Sequence, residues 1–467
     1  MSKGFLEIPL NAEILSRTPP EAIALILHLL ERVEKLEAQN AALEKRIVEL
    51  EARVNRKSSN SNKPPSSDSP FENKTRVFRD IPKRDRNRQG YSRQRLHPTL
   101  RHHVMPGTCS CGSAKHEEAK VYYTHQVVEL PEIEFVVEDF VLYQAKCSEC
   151  GKTVKGKIPE ERRTGYGSRL SAMIVELAGV HGDSRRGVQD FLVSVFGLSI
   201  SQGAIQKIIN RAAEAIKPHY ESICEAARRA PVNHIDETSW KTNGSLRWLW
   251  TMTSDVASFF MIHRHRSRVA FEELIGAWQG ILVSDGYTLY RKWAHGRQSC
   301  LAHLIRRAIG VSEHPDPDVA AVGANIAKEL QMLCNMAKNP PGIKEWNGFY
   351  DRLMRIFRLN VDCDDVAGKL VRQLMREVDS LWTFLDAQGV KPTNNAGERS
   401  LRFPVIYRKR SFGTRQVCGE RFVERIMSLR QTCRLQARRT FPVLVDAFQA
   451  WLNRSSPDVA LFSFHTP

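Results

Sequence analysis

No apolar run in the 467-residue chain approaches the ~20 residues that a helix needs to cross a bilayer. The opening MSKGFLEIPL carries no apolar stretch of the signal-peptide kind. Both absences lead us to expect a cytoplasmic protein with no membrane partner. Cysteine is poorly placed for a disulfide framework. Four of the ten lie within 109–150, while Cys224, Cys300, Cys334, Cys363, Cys418 and Cys433 are scattered. That usage suits a reducing compartment and one clustered metal site. Acidic residues are also short, 52 against 69 Lys and Arg, for a net charge of +17. The excess sits in two stretches, 55–101 and 398–439, each with a balance of +9, and the rest of the chain is close to neutral. Basic charge gathered in two patches points to a polyanion partner, because phosphates neutralised by protein release their counterions; a solubilising surface is the plainer alternative.

What is present begins with a heptad pattern over 21–54. Leu29, Leu36, Leu43 and Leu50 recur every seventh residue, and Ile26, Val33, Asn40, Ile47 and Val54 fill the other apolar position. β-Branched residues at a and Leu at d favour a parallel two-stranded coiled coil, with Asn40 setting the register. Arg32 and Arg46 are placed to meet Glu37 and Glu51 of the partner helix. The Ser-, Asn- and Pro-rich segment RKSSNSNKPPSSDSP and the basic residues after it, 55–101 in all, are expected to form a disordered linker or an arm that orders on nucleic acid.

Residues 102–162 read as a small β-rich zinc-binding domain. CSCG and CSEC flank two alternating runs, VYYTHQVVEL and FVVEDFVLYQ. Cys147 and Cys150 have the spacing with which two thiolates grip one zinc ion. Cys109 and Cys111 complete the simplest ligand set, with His116 or His103 as alternatives to one of them. Residues 163–228 read as a helical DNA-binding segment. SRRGVQDFLVSVF, GLSIS and QGAIQKIINRA have the helix–turn–helix arrangement, with Ser184 and Ser201 at N-cap positions and Gly197 at the corner. An ordinary helical hairpin has the same pattern.

From 229 to 440 the pattern is α/β. VNHID (232–236), LRWLWTMTS (246–254), FFMIHRH (259–265), the helical SRVAFEELIGAW and GILVSDGY (280–287) give the order β-β-β-α-β. An acid ending the first strand, Asp236, and another ending the fourth, Asp285, is what a ribonuclease-H-like core requires, since those strands lie side by side. Glu398, at the start of a helix after TNN, is the third candidate. It stands 113 residues beyond Asp285, so a helical insertion is expected over about 300–390. A C-terminal helix and tail occupy 441–467.

Three convergent acids suit two Mg²⁺ ions roughly 3.5–4 Å apart, which activate an attacking oxygen and stabilise the leaving oxygen of a phosphodiester. Asp236 would bridge both ions, and Asp285 and Glu398 would each hold one. Glu237 is set aside because strand neighbours point to opposite faces. Arg399, Arg402, Arg408, Lys409, Arg410 and Arg415 form a basic stripe for phosphates, or a solvated surface. Cys300 and His303 in CLAHLIRR share a helix face and are expected to brace the active site.

The zipper, SNKPPSSD, the cysteine segment, HIDETSW, LVSDGYTLY, CLAHLIRR, TNNAGERSLR and RKRSFGT together resemble the bacterial insertion-sequence-66 family of DDE transposases, nearly end to end. CSCG stands where that family often has a CxxC pair. The resemblance implies Mg²⁺-dependent cleavage and strand transfer at terminal inverted repeats, with the triad at Asp236, Asp285 and Glu398. Expected partners are DNA, both element ends and target, a second copy through the coiled coil, and accessory transposition proteins. The alternatives are a ribonuclease-H-like nuclease or resolvase, and an inactive transposase-derived DNA-binding protein.

Overall fold

The computed structural model of the protein describes residues 19–61, 95–115 and 117–459. Residues 62–94 of the expected linker, the alternative ligand His116 and the tail from 460 lie outside the described residues. The first element is helix α1 (Pro20–Val54), opened by a proline at its first position, where a missing N–H costs nothing. Its heptad side chains are exposed in the single chain: Leu29, Leu36, Leu43 and Leu50 all stand open to solvent.

The cysteine segment contains one short hairpin, β1 (Gln144–Lys146) paired antiparallel with β2 (Thr153–Lys155). This corrects the expectation of two long strands in a β-rich unit. Residues 121–143 form no ladder, and Val121, Tyr122, Val136 and Val137 are exposed. Alternation shows which face a strand would bury, but a strand also needs a partner for its backbone, and none is supplied here.

Four helices follow: α2 (Ser168–Val175), continued by a π-helical turn to His181, then α3 (Arg185–Phe196), α4 (Gln202–Ala215) and α5 (Lys217–Arg229). Ser184 Oγ accepts from Gly187 N at 3.0 Å and Ser201 Oγ from Ala204 N at 3.2 Å, so both serines satisfy first-turn N–H groups. Gly197 closes α3 with φ 65°. Helix α4 buries Ile205, Ile208, Ile209 and Ala212.

The sheet that follows has five strands: β3 (Val232–Thr242), β4 (Ser245–Thr253), β5 (Ser258–His263), β6 (Ile281–Ser284) and β7 (Arg297–Ser299). Their order is β5-β4-β3-β6-β7, antiparallel up to β3 and parallel from β3 through β6 to β7. Helix α6 (Arg268–Ile275) crosses between β5 and β6. Strand β3 runs six residues beyond Asp236, which corrects its expected end. The cause is the β3–β4 hairpin, whose Asn243-Gly244 turn takes positive φ at both residues and carries the pairing out to Thr242 and Ser245.

After β7 come α7 (Leu301–Ser312), α8 (Pro317–Asn335), α9 (Ile343–Asn360), α10 (Val366–Arg376) and the short α11 (Thr383–Asp386). They enclose a core of their own, including Leu304, Ile326, Leu330, Phe349, Leu353, Phe357 and Leu374. Three more helices return to the sheet: α12 (Asn395–Ser411), α13 (Val417–Leu435) and α14 (Thr440–Asn453). The edge strand β5 is closed by α13. Glu424 Oε1, Ser428 Oγ and Thr432 Oγ1 accept from the N–H groups of Ile262, Phe260 and Ser258 at 2.6, 2.9 and 3.0 Å. Helical spacing of four residues thus matches strand spacing of two, and the open side of the sheet is sealed by side chains.

Candidate active site

Parallel pairing between β3 and β6 ends at His234 opposite Val283. Asp236 and Asp285 each lie two residues beyond that pair, Asp236 still within β3 and paired with Thr251 of β4, and Asp285 just past the end of β6. Asp285 follows β6 directly, and its Oδ1 accepts from Tyr287 N at 2.9 Å. Asp236 Oδ1 accepts from Glu237 N at 2.9 Å. Glu398 sits in the first turn of α12, where its N–H donates to Asn394 O at 3.1 Å. Its Oε1 meets Arg306 Nη2 at 3.2 Å and His303 Nε2 at 3.5 Å.

Burial pushes the Asp236 carboxyl well above its usual range. The charges of Glu237 and Asp285 push the same way, and Glu398 adds a weaker push. The charges of Asp285 and Glu398 thus reach Asp236, while the Glu398 carboxylate pairs with α7 and, among the described residues, the three acids are not gathered within 4.8 Å of one another. Carboxylates that repel in a half-buried site are a fit for divalent cations with hard oxygen ligands.

Asn394 holds these parts together, and the sequence reading passed over it as a turn residue. It is fully buried. Its Nδ2 donates to Ile235 O at 3.0 Å, its Oδ1 lies 3.1 Å from His234 Nδ1, and its N–H donates to Cys300 Sγ at 3.1 Å. One residue thus ties three elements, its side chain holding the strand of Asp236 and its backbone N–H and carbonyl holding the start of α7 and the helix of Glu398. Burial lowers the pKa of His234 to about 4, so its ring is neutral at neutral pH. The NNAGER motif marks Asn394 only as a residue before a helix; its side chain does not cap α12 but turns to β3.

Cys300 is buried at the start of α7, and burial pushes its thiol up to about 11. Ligand atoms of Cys300, His303 and Glu398 lie within 4.8 Å of one another. Cys300 Sγ accepts the Asn394 N–H, and the three groups have donor atoms close enough to hold one metal ion. Burial lowers the pKa of His303, and Arg306 lowers it further, while Glu398 opposes both.

Glu237, set aside on strand geometry, is the second residue missed. Its carboxylate is almost wholly buried, forms an ion pair with Arg266 and accepts from the Tyr290 hydroxyl. Strand alternation set Glu237 aside, yet its charge bears on Asp236.

The basic stripe divides. Arg399, Arg402, Lys409 and Arg415 are exposed. Arg408 instead turns to β3, bonding Thr238 Oγ1 at 3.1 Å and Ser239 Oγ at 2.9 Å, and Arg410 pairs with Asp183 at 3.5 Å. The four N-terminal cysteines stay in two pairs. Backbone and thiol hydrogen bonds within Cys109/Cys111, and within Cys147/Cys150, hold Cys109 and Cys147 below the ordinary thiol range. Among the described residues, the two pairs are not gathered into one cluster.

A mixed α/β protein with a five-stranded mixed sheet, and with Asp236 and Asp285 two residues beyond the last pair of its adjacent parallel strands, is the class that fold and site define. Residues 163–421, more than half of the chain, match the family described as Transposase IS66 family. The chain belongs to that family. Residues 9–101 match a second family, described as a family of unknown function. An uncharacterized protein, y4jD of Sinorhizobium fredii, is 20% identical over 296 residues, which are 56% of this chain. The chain spans 58% of that relative's length. No described helix is long and apolar enough to cross a membrane.

Proposed function

We propose that the protein is a DNA transposase that cuts and rejoins DNA where Asp236, Asp285 and Glu398 converge. The observation that carries this reading is the placement of Asp236 and Asp285 at equivalent positions on the adjacent parallel strands β3 and β6, two residues beyond their last pair, with burial and the charges of Glu237, Asp285 and Glu398 all bearing on Asp236. The sheet order β5-β4-β3-β6-β7 supports a ribonuclease-H-like core, and the helices from Leu301 to Asp386 support an insertion ahead of α12. Asp236, Asp285 and Glu398 would hold two Mg²⁺ ions, which supply charge neutralisation at the attacking and leaving oxygens of a phosphodiester.

The remaining roles belong to the chain itself. Asn394 fixes the distance between β3 and α12, and Arg306 with His303 orients Glu398. Exposed Arg399, Arg402, Lys409 and Arg415 offer charge to DNA phosphates. We assign one structural zinc to Cys109, Cys111, Cys147 and Cys150, on the spacing of the two pairs, which would have to close around the ion because they are not gathered in one cluster among the described residues. Helices α3 and α4 are the proposed helix–turn–helix, and α1 the proposed dimer contact. Cytoplasmic location and accessory transposition partners belong to the same reading.

The test is a strand-transfer assay in Mg²⁺ with labelled element ends and a plasmid target, run beside Asp285→Ala. Joined product that vanishes in the variant is expected. Cleavage without joining would move the protein to the nuclease class, and joining that survives in the variant would remove Asp285 from the site.

A further inference from the structure

Beside the acids lies a second, differently built group. Arg266 follows β5, where the chain turns toward α6. Its Nε donates to Glu237 Oε1 at 2.6 Å, and Nη2 pairs with the same oxygen. The other Glu237 oxygen accepts from the buried Tyr290 hydroxyl. The guanidinium carbon stands 3.9 Å from the centre of the Tyr287 ring and 5.2 Å from that of Trp248. Tyr287 is held at both ends: its N–H donates to Asp285 Oδ1, and its hydroxyl donates to Arg266 O at 3.3 Å. Its ring also meets the Tyr290 ring edge to face, with centres 5.5 Å apart.

Each contact restrains Arg266. A buried carboxylate takes one edge of the guanidinium, aromatic rings take its faces, and Nη1 is left with no protein partner among the described residues. The side chain is 35% exposed, against 2% for Glu237. Long arginines usually lose rotamer freedom when they bind, and this one has already lost it. A planar guanidinium with one edge committed and another outward matches the geometry of a phosphate oxygen. Its link through Tyr287 to Asp285 sets the guanidinium beside the acid that follows β6.

We propose that Arg266 is a preorganised anchor for a DNA phosphodiester next to the acid cluster, with Glu237, Tyr287 and Trp248 as its positioning residues. The inference rests on the DNA-processing reading above and adds a contact outside the basic stripe of α12. It also gives Glu237 a role other than metal binding, since both its oxygens are already engaged.

The test is fluorescence anisotropy of the full-length protein with a labelled DNA duplex, titrated over a salt series in Ca²⁺. Wild type, Arg266→Met, Arg266→Lys and Glu237→Gln would be compared, with thermal melts to confirm folding. Losing one phosphate contact should weaken binding about fivefold to tenfold in Arg266→Met and flatten the slope of log K against log salt by about one. Arg266→Lys should keep the slope but bind more weakly than wild type, because the charge stays and the fork is lost. Glu237→Gln discriminates sharply. Removing an acid near DNA should tighten binding if its charge alone matters, and should weaken it if Glu237 positions Arg266. Wild-type affinity and slope in Arg266→Met, or tighter binding by Glu237→Gln, would overturn the anchor. Failure of the wild type itself to bind DNA would instead overturn the DNA-processing reading, and the anchor with it.

Discussion

Asn394 shows how much a single side chain can decide at this site. Its amide serves Ile235 and His234 at once, so Asn394→Ala would leave the Ile235 carbonyl and the His234 ring without their partner. A buried polar group left unmet costs about 1–3 kcal/mol, and Asn394→Ala should lower the urea midpoint by a corresponding amount. Asp236 has the opposite character. Its charge is opposed by burial and by three acids, so Asp236→Asn should raise the melting temperature of the metal-free protein by roughly 2–4 °C, as expected for about 1 kcal/mol. The same variant should lose the stabilisation that Mg²⁺ gives wild type. A lower metal-free melting temperature in calorimetry would contradict the repulsion argument.

His219 in α5 supplies a pH test away from the site. Burial lowers its pKa, against the pull of Asp446 and Asp458. A histidine whose folded pKa is depressed takes up its proton more readily when unfolded. Stability is therefore lost as pH falls below the ordinary value of about 6.5. Melts between about pH 6.5 and 5 should fall more steeply for wild type than for His219→Gln.

At the scale of elements, the pairing of α13 with β5 and the attachment of the inserted helices matter most. Ser428→Ala removes the acceptor for the Phe260 N–H inside a sealed edge, and should cost about 1–3 kcal/mol in chemical denaturation. Glu377, buried just after α10, accepts from Ser299 Oγ at 2.6 Å and pairs with Arg297 at 3.4 Å and Arg291 at 3.8 Å. It thereby ties β7 to the helices from Leu301 to Asp386. Glu377→Ala strands the buried Arg297 charge and should destabilise by about 3–5 kcal/mol.

Several of these elements were legible beforehand because their signals are local. Ser184 and Ser201 cap the helices they precede, and the apolar runs around 249–252 and 259–262 lie in strands as their composition implies. Asn243-Gly244 is an equally local hairpin signal, and it is what carries β3 past Asp236. Strand β7 is three residues long and carries Arg, Gln and Ser, so nothing in its composition marks it. The runs at 121–143 had the composition without the partner.

For the whole molecule, the exposed heptad face of α1 and the segment after it are the features to test. Leu29, Leu36, Leu43 and Leu50 offer an apolar seam that a second copy would cover. Sedimentation should show a dimer whose distribution changes in Asn40→Val. Past α1, Asn60 Nδ2 donates to Glu313 Oε2 at 2.5 Å, and a Cβ at Gly310 would come within 2.4 Å of Asn60 O. Gly310→Ala should therefore push the 55–61 segment off α7, and trypsin should cut sooner at Arg56 and Lys57.

Residue types and local spacing alone determined the heptad of α1, the capped helices, the strand–helix alternation after Pro231 and the three candidate acids. Those follow from short-range rules, where periodicity, caps and carboxylate chemistry are carried by neighbours in the chain. Tertiary structure alone decided that Asn394 clamps three elements, that Glu237 pairs with Arg266, that Arg408 faces β3 rather than solvent and that Glu398 is tethered by Arg306. Each of these joins residues from 29 to 170 positions apart. Such contacts depend on which elements pack together and on which charges burial forces to find partners, and neither is written in any one stretch of sequence.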